Sequence, residues 1–323
     1  MARLRQLVVV ADDFGIGPET DRGILELGAA GLVASTVLLV NSPYAEAGVA
    51  AWNRAGRPVE LGWHPALTLD QPILPSERVP SLVDAKGKFH PLGRFLRNSM
   101  LGRVRPTEVL EELAAQYERF VELVGHPPRL VNSHQHASLF RPVTAALHEL
   151  LTSYPERPFV RRVREPWRTL ARIPGARIKR IVLNSRGRKQ ARTLERDGFP
   201  GCDWLAGITD PPCVSDPHFY ERWLSGMPGQ SVELMCHPGH MDRTLVGRDC
   251  EMPGSGRRPP SEKVNGSLAT SATNVNSTEL ALLRRVREFE MFHRAEFREV
   301  TRSAGFELVP ASRLGQTPAR AAA

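Results

Sequence analysis

Four short apolar runs in this chain each end at ionisable residues, and that pattern limits the fold more than any other feature. Leu7-Val8-Val9-Val10-Ala11 runs into Asp12-Asp13-Phe14-Gly15, and Val59-Glu60-Leu61-Gly62-Trp63 runs into His64. Leu130-Val131-Asn132-Ser133 leads to His134-Gln135-His136, and Val232-Glu233-Leu234-Met235-Cys236 leads to His237. Compact aliphatic and β-branched runs of this length read as buried parallel strands. In barrels and open sheets built from such strands, reactive groups gather at the carboxyl ends. Two aspartates and several histidines arriving there together imply one constructed site.

The elements between these runs alternate in type. Pro18-Glu19-Thr20 opens a helical pattern that stops near Gly31, Ser35 to Val40 reads as a second strand, and a short helix over Ala45 to Asn53 precedes the His64 strand. Pro65 to Phe95 is rich in Pro, Asp and Gly and is expected to be loop, of a length that often serves as a lid. The clearest helix starts at Pro106 and sets Val109, Leu113, Tyr117, Phe120 and Val124 on one face until Gly125. Val143 to Leu151 reads as helix, Phe159 to Val163 as strand, Thr278 to Arg302 as one long helix and Phe306 to Val309 as a last strand. Such alternation calls for a parallel sheet with helices outside it, either a barrel or a doubly wound sheet. Residues 1–323 are expected to form a single α/β domain. The apolar period disappears over residues 241–276, which are expected to be a disordered insertion, and the tail at 316–323 is expected to fray.

An apolar fraction of 41% fits a globular chain that buries a sizeable core. No stretch approaches the ~20 apolar residues that span a bilayer. Met1-Ala2-Arg3 leads straight into the first strand, which leaves no room for a secretory signal and makes the cytoplasm the expected compartment. Cys202, Cys213, Cys236 and Cys250 show no CxxC spacing and read as free thiols. The net charge of +8 owes much to a basic stretch from Arg161 to Arg192. No nucleic-acid module accompanies it, so no nucleic-acid partner is expected. The stretch reads first as a solvated, Arg-rich helix pair and second as a peripheral membrane contact.

The strand-end residues define the chemistry. Adjacent carboxylates repel unless a cation or a proton lies between them, so Asp12-Asp13 points to a bound ion. His134 and His136 lie two apart and share a face if extended, so one is available as a ligand and the other for a supporting or substrate-side role. Two imidazoles and one carboxylate hold a divalent cation while leaving positions open for water and substrate. A second carboxylate and a further histidine then supply acid–base groups, an inventory that fits metal-assisted acyl hydrolysis. No G-x-S-x-G elbow, Walker loop or dinucleotide fingerprint competes with it. The same three ligands also suit a non-haem Fe(II) oxygenase, and a catalytically silent sugar-binding module is the non-enzyme alternative.

At these residues the chain resembles the YdjC/ChbG-like carbohydrate deacetylases, a family that includes a hopanoid-associated branch. The resemblance rests on Ala11-Asp12-Asp13-Phe14-Gly15, Gly31 with Ser35-Thr36, and Gly62-Trp63-His64 with Leu67-Thr68 and Pro72. It continues through Asn132-Ser133-His134-Gln135-His136 and Cys236-His237-Pro238-Gly239. It implies a TIM-like (β/α) barrel, irregular and of seven or eight strands, related to polysaccharide deacetylases, that removes the N-acetyl group of an amino sugar. On it, Asp13, His64 and His134 correspond to metal ligands for Mg²⁺ or Zn²⁺, and Asp12 to the general base, the two aspartate roles being exchangeable. His237 corresponds to the general acid, and Arg162 and His136 to substrate-side groups. The implied partner is a small N-acetylated sugar, either a chito-oligosaccharide or a lipid-linked amino sugar, with a homodimer left open. Three departures stand out, one being the insertion over residues 240–276, which has no counterpart in the compact members and adjoins His237. Asn132 replaces an Asp that would orient the His134 ring, and Asp21 replaces an Asn of the first helix.

Overall fold

The computed structural model describes residues 4–248 and 277–315. Its first half runs β1 (Arg5–Phe14), α1 (Pro18–Ala29), β2 (Ser35–Leu38), α2 (Ala45–Arg54), β3 (Glu60–Trp63), α3 (Leu92–Met100), α4 (Pro106–Val124), β4 (Leu130–Val131) and α5 (Val143–Ser153). The second half runs β5 (Phe159–Val160), α6 (Trp167–Arg172), α7 (Arg177–Arg196), β6 (Trp204–Ala206), α8 (Phe219–Leu224), β7 (Ser231–Cys236), α9 (Ser277–His293), α10 (Ala295–Ser303), β8 (Phe306–Leu308) and α11 (Ser312–Gly315). All the strand pairings are parallel, in the order β5-β4-β3-β2-β1-β7-β6. β7 takes one edge of β1 from Gln6 to Ala11. The other edge is shared, by β8 along Arg5 to Leu7 and by β2 from Val10 onward. The outer strands are joined through flanking segments, Val160 N–H of β5 to the Pro200 carbonyl ahead of β6 at 2.8 Å and Leu205 N–H of β6 to the Arg164 carbonyl after β5 at 2.9 Å. The sheet therefore rolls into an irregular α/β barrel.

Strand alternation decides what enters the barrel. Val8, Val10, Leu130 and Phe159 pack together with Val37, Cys202, Val309 and Ala311 in an inner cluster. Leu7, Val9, Val131, Val160, Val232 and Leu234 belong instead to the large cluster shared with the helices. Successive strand side chains point to opposite faces, so Asp12, Asn132, Arg161 and Glu233 carry the inward parity. The interior is narrow. A Cβ on Gly62 of β3 would lie 2.4 Å from the Leu130 carbonyl oxygen, so only glycine lets β3 and β4 approach.

Helix α4 follows its sequence pattern closely. Pro106 opens it with no N–H to lose, and Gly125 closes it in the left-handed conformation at φ 87°. The segment ahead of it departs from the lid expectation. Glu112 accepts from the N–H groups of Ile73 and Leu74 at 2.9 and 3.0 Å, Glu108 from Ser81 N–H at 2.7 Å, and Gln116 bonds Ala66. These α4 side chains lie at four-residue steps, so one helix face pins the loop down. The loop also gives way to α3 at Leu92.

Other expectations shift locally. β2 stops at Leu38 and β5 at Val160, and the single C-terminal helix is broken at Arg294, whose extended backbone separates α9 from α10. The Arg-rich stretch is not uniformly solvated. Arg180 is fully buried against Glu165 at 2.6 Å, and Arg161 is buried inside the barrel. Within the proposed disordered insertion, residues 241–248 are anchored. The Asp242 carboxylate accepts from the Glu19 and Thr20 N–H groups at the start of α1, and Arg248 pairs with Asp70 at 2.6 Å. Residues 249–276 and the tail at 316–323 lie outside the described residues. Cys202, Cys213 and Cys236 are free thiols. Among the described residues no helix is long and apolar enough to cross a membrane.

Candidate functional site

Two consecutive residues in a regular strand face opposite ways, so Asp12 and Asp13 reach one cavity only because β1 is irregular there. The β1–β2 register shifts between Ala11 and Phe14, and Asp13 takes a positive φ of 69°. A bulge with a left-handed non-glycine residue is strained backbone of the kind found at functional sites. Gly15, at φ 81°, follows, and its N–H donates to the buried Asp21 carboxyl at 2.6 Å, which fixes the turn.

Asp13 meets two histidines from different strands. Its Oδ1 lies 3.2 Å from His64 Nε2 and 3.1 Å from His134 Nδ1, and one ligand atom of each residue lies within 4.8 Å of the others. The rings of His64 and His134 stand edge to face, 5.5 Å between centroids. All three residues are buried. Burial opposes the Asp13 charge, but the Arg285 guanidinium at 2.7 Å and the two histidines hold its carboxyl well below the usual range. His64 Nδ1 contacts Asn132 Oδ1. With the proton on Nδ1, that bond leaves the Nε2 lone pair facing Asp13, the orientation that metal-ligating imidazoles need. Two imidazole nitrogens and an ionised carboxylate oxygen, converging in a buried cavity, fit a divalent cation.

Asp12 is built differently. Arg161 grips both its oxygens, Nη1 to Oδ2 at 2.6 Å and Nη2 to Oδ1 at 2.8 Å, while Asn132 Nδ2 donates to Oδ1 at 3.0 Å. Burial disfavours its charge, yet Arg161 outweighs burial, with help from His64 and His237, and brings the pKa down to about 2. The other end of Arg161 donates from Nε to Glu233 at 2.6 Å. Burial pushes Glu233 up despite that contact. One guanidinium thus serves two buried carboxyls.

His237 follows β7 and places Nε2 4.0 Å from Asp12 Oδ2. Burial, then the charge of Arg284, lowers its pKa to about 4, so the ring is neutral at pH 7. Its backbone N–H donates to Glu288 of α9, and Gly239 N–H donates to the Arg285 carbonyl at 3.1 Å, so α9 is fastened to the turn after β7. His136 is buried with a positive φ of 56°. Burial and Arg161 hold its pKa well below the ordinary value.

The structure therefore brings Asp12, Asp13, His64, His134 and His237 together, with His136 in the field of Arg161, Asp12 and His237. It does not bring in Arg162. That side chain donates to the Phe199 and Gly201 carbonyls at 2.8 and 3.2 Å and pairs with Glu195, outside the barrel, because Phe159 and Arg161 own the inward parity of β5. Asn132 also differs from expectation, since it steadies His64 and Asp12 and not His134. The sequence pattern missed Arg161, Glu233, Arg285 and Glu288. Glu233 did carry a signal, being a lone charge amid Val232 and Leu234. Arg285 and Glu288 come from a distant helix with no local mark.

An α/β barrel with a two-His, one-Asp cluster at the carboxyl ends of its strands defines a class of candidate metal site. Residues 6–303 match the model of the YdjC-like protein family, and the chain belongs to that family. It is 38% identical over 256 residues to the carbohydrate deacetylase of Mus musculus, covering 73% of this chain and 78% of that one. It is 30% identical over 246 residues to the chitooligosaccharide deacetylase of Klebsiella pneumoniae (strain 342), covering 75% of this chain and 85% of the other. Among solved structures, a protein of Enterococcus faecalis V583 described as a cellobiose-phosphate cleavage protein shares the fold. Its TM-score is 0.69 at 23% identity, over 96% of this chain and 99% of that one.

Proposed function

We propose that this chain is a metal-dependent hydrolase that removes the N-acetyl group from an amino sugar. The observation that carries this reading is the convergence of Asp13, His64 and His134 on one point beside an ionised Asp12 and a neutral His237. The names of the relatives, carbohydrate and chitooligosaccharide deacetylases, support it independently.

Asp13, His64 and His134 would hold the cation, which when bound would polarise the amide carbonyl and lower the pKa of the attacking water. Two imidazoles favour Zn²⁺ over Mg²⁺ in that position. Asp12 is the base. Arg161 and Asn132 fix the plane of its carboxylate, and its Oδ2 receives the proton of the attacking water. His237 starts uncharged and so cannot act as a preloaded acid. His237 Nε2, 4.0 Å from Asp12 Oδ2, would take that proton once the two groups close to hydrogen-bond distance and would pass it on to the departing amine. An Fe(II) oxygenase would use the same three ligands but leaves the Arg161-clamped Asp12 and His237 without a task.

The test is acetate release from N-acetylated chito-oligosaccharides, with Zn²⁺, Mg²⁺ and Co²⁺ supplied separately. Asp13→Ala and His64→Ala should lose both bound metal and acetate release while keeping a cooperative melt. An Asp13→Ala protein that released acetate at the parent rate would overturn the assignment. Sugar binding without acetate release under saturating metal would favour a silent binding module.

A further inference from the structure

Few large apolar side chains among the described residues are exposed, and the exposed ones include one local group. Among the described residues nine are exposed, and four of these, Trp167, Ile178, Ile181 and Val182, lie on α6 and the first turns of α7. Ile178, 81% exposed, is the most open of the nine. Residues 178, 181 and 182 sit at i, i+3 and i+4 and share one side of the helix. The opposite side carries the buried Leu183, Gly187 and Leu194, with Gly187 so close to the segment after β5 that a Cβ would lie 1.7 Å from the Val163 carbonyl oxygen. α7 is thus docked by one face and presents a second apolar face that none of the described residues covers. Contiguous exposed apolar surface marks a contact site more often than chance.

The charge carried by these two helices has a single sign, and the acid nearest the face from another segment is Asp210, whose carboxylate accepts from Ala176 N–H at 2.6 Å at the start of α7. No Asp or Glu occurs from Pro166 to Leu194. Arg168, Arg172, Arg177, Arg186, Lys189 and Arg192 are exposed on the same two helices. Position matters too. Helices that follow barrel strands start at the carboxyl-end face, so α6 and the beginning of α7 lie on the same end of the molecule as the candidate site. Gly175 packs against Thr209 of the loop after β6, and Lys179 is near enough to depress the pKa of His136. Met241 and Val246, also exposed, follow β7 at that end. Lower on α7 the face runs into a cleft of 360 Å³ between α5 and α7, floored by Leu147 and Leu194 and edged by Arg186 and Lys189.

We propose that the α6–α7 face docks on a bilayer surface containing anionic lipid, with Ile178, Ile181 and Val182 entering the headgroup layer and the surrounding arginines meeting lipid phosphates. An apolar strip flanked by six exposed basic side chains, with Asp210 at one end, is the recognition chemistry of a membrane-surface helix. A protein partner of the same complementarity would need an acidic rim around an apolar patch, and a parent that fails to bind mixed vesicles would favour such a partner over lipid. The docked orientation turns the mouth of the barrel toward the lipid. This inference does not rest on the deacetylase reading, because binding is measured without substrate.

The experiment is sedimentation of the full chain with vesicles of phosphatidylcholine alone and of phosphatidylcholine mixed with phosphatidylglycerol. Binding is expected to the mixed vesicles at low salt and to weaken as salt rises. The triple variant Ile178→Ser, Ile181→Ser, Val182→Ser should weaken it by roughly tenfold or more. Arg172→Gln with Arg177→Gln and Lys189→Gln should reduce it to the level seen with phosphatidylcholine. All substituted positions are exposed, and melts unchanged from the parent show that the variants are folded. The proposal is overturned if the parent fails to sediment with mixed vesicles at low salt, or if the apolar triple variant binds as the parent does. It is overturned equally if the parent elutes as a dimer that the apolar variant dissolves while lipid binding is absent, which would make the face a protein interface.

Discussion

Asp21→Asn should stabilise this protein, by an amount that grows with pH. The Asp21 carboxyl is 3% exposed and receives one backbone N–H, from Gly15 at 2.6 Å. Burial, with the Asp242 charge behind it, pushes its pKa up to about 8 against the opposing pull of that N–H and of Arg285. The folded value lies above the unfolded one, so the folded chain keeps a proton that the unfolded chain releases. Stability is therefore complete below the unfolded pKa of ~4 and drains away by about 1.4 kcal/mol per pH unit until the folded pKa is passed. At pH 7 the accumulated cost is about 4 kcal/mol. Asparagine carries none of it, and its Oδ1 can go on accepting from Gly15. Urea unfolding with a chelator present, at pH 5 and at pH 7, measures the difference between variant and parent. That difference should widen by about 3 kcal/mol between the two pH values. A constant difference would refute the reasoning, since it would mean that Asp21 ionises in the folded protein as it does in the unfolded chain. Catalytic activity should survive, because the bond that fixes the turn after Asp13 is kept.

The remaining predictions probe the site itself. Arg161→Gln leaves Asp12 and Glu233 buried without their cation, which should cost about 3–5 kcal/mol of stability and at least a hundredfold in acetate release. Arg162→Gln, whose parent side chain points out of the barrel, should stay within about twofold in the same assay, and the reverse ranking would return Arg162 to the site. Zn²⁺ at about a hundred times its Kd should raise the unfolding free energy by about 2.7 kcal/mol, measured by urea titration. That increment should vanish in His64→Ala/His134→Ala. His237 must be neutral to take the proton from Asp12, and its pKa is held at about 4, so kcat/KM should stay level as pH falls from 7 and drop only near 4. An acid limb centred near 6.5 that is absent from the residual activity of His237→Gln would assign that value to His237 and rule out the relay.

What could be read from the sequence follows from how local each signal is. Asp12, Asp13, His64, His134 and His237 stand at the ends of apolar runs, and the strand-end rule gathers them without knowledge of the turns between. The Arg161–Arg162 choice was not legible, because β5 is two residues long and gives no alternation from which to judge parity. Only the packing of Phe159 into the inner cluster decides it. The convergence of Asp12 and Asp13 depends on a bulge and a positive φ at an aspartate, and nothing in the composition of β1 announces either. The α9 residues pose a different problem. Arg285 reaches Asp13 across 272 residues of chain, and its helix face looks like any other basic stretch. These unread residues share one role. Arg161 neutralises Asp12 from β5, and Arg285 neutralises Asp13 from the C-terminal helices, so each site carboxylate depends on a guanidinium from a different part of the barrel. A buried carboxylate without its partner is strongly unfavourable. Strand ends alone could not hold both charges, and the site is complete only when α9 has closed over the turn after β7.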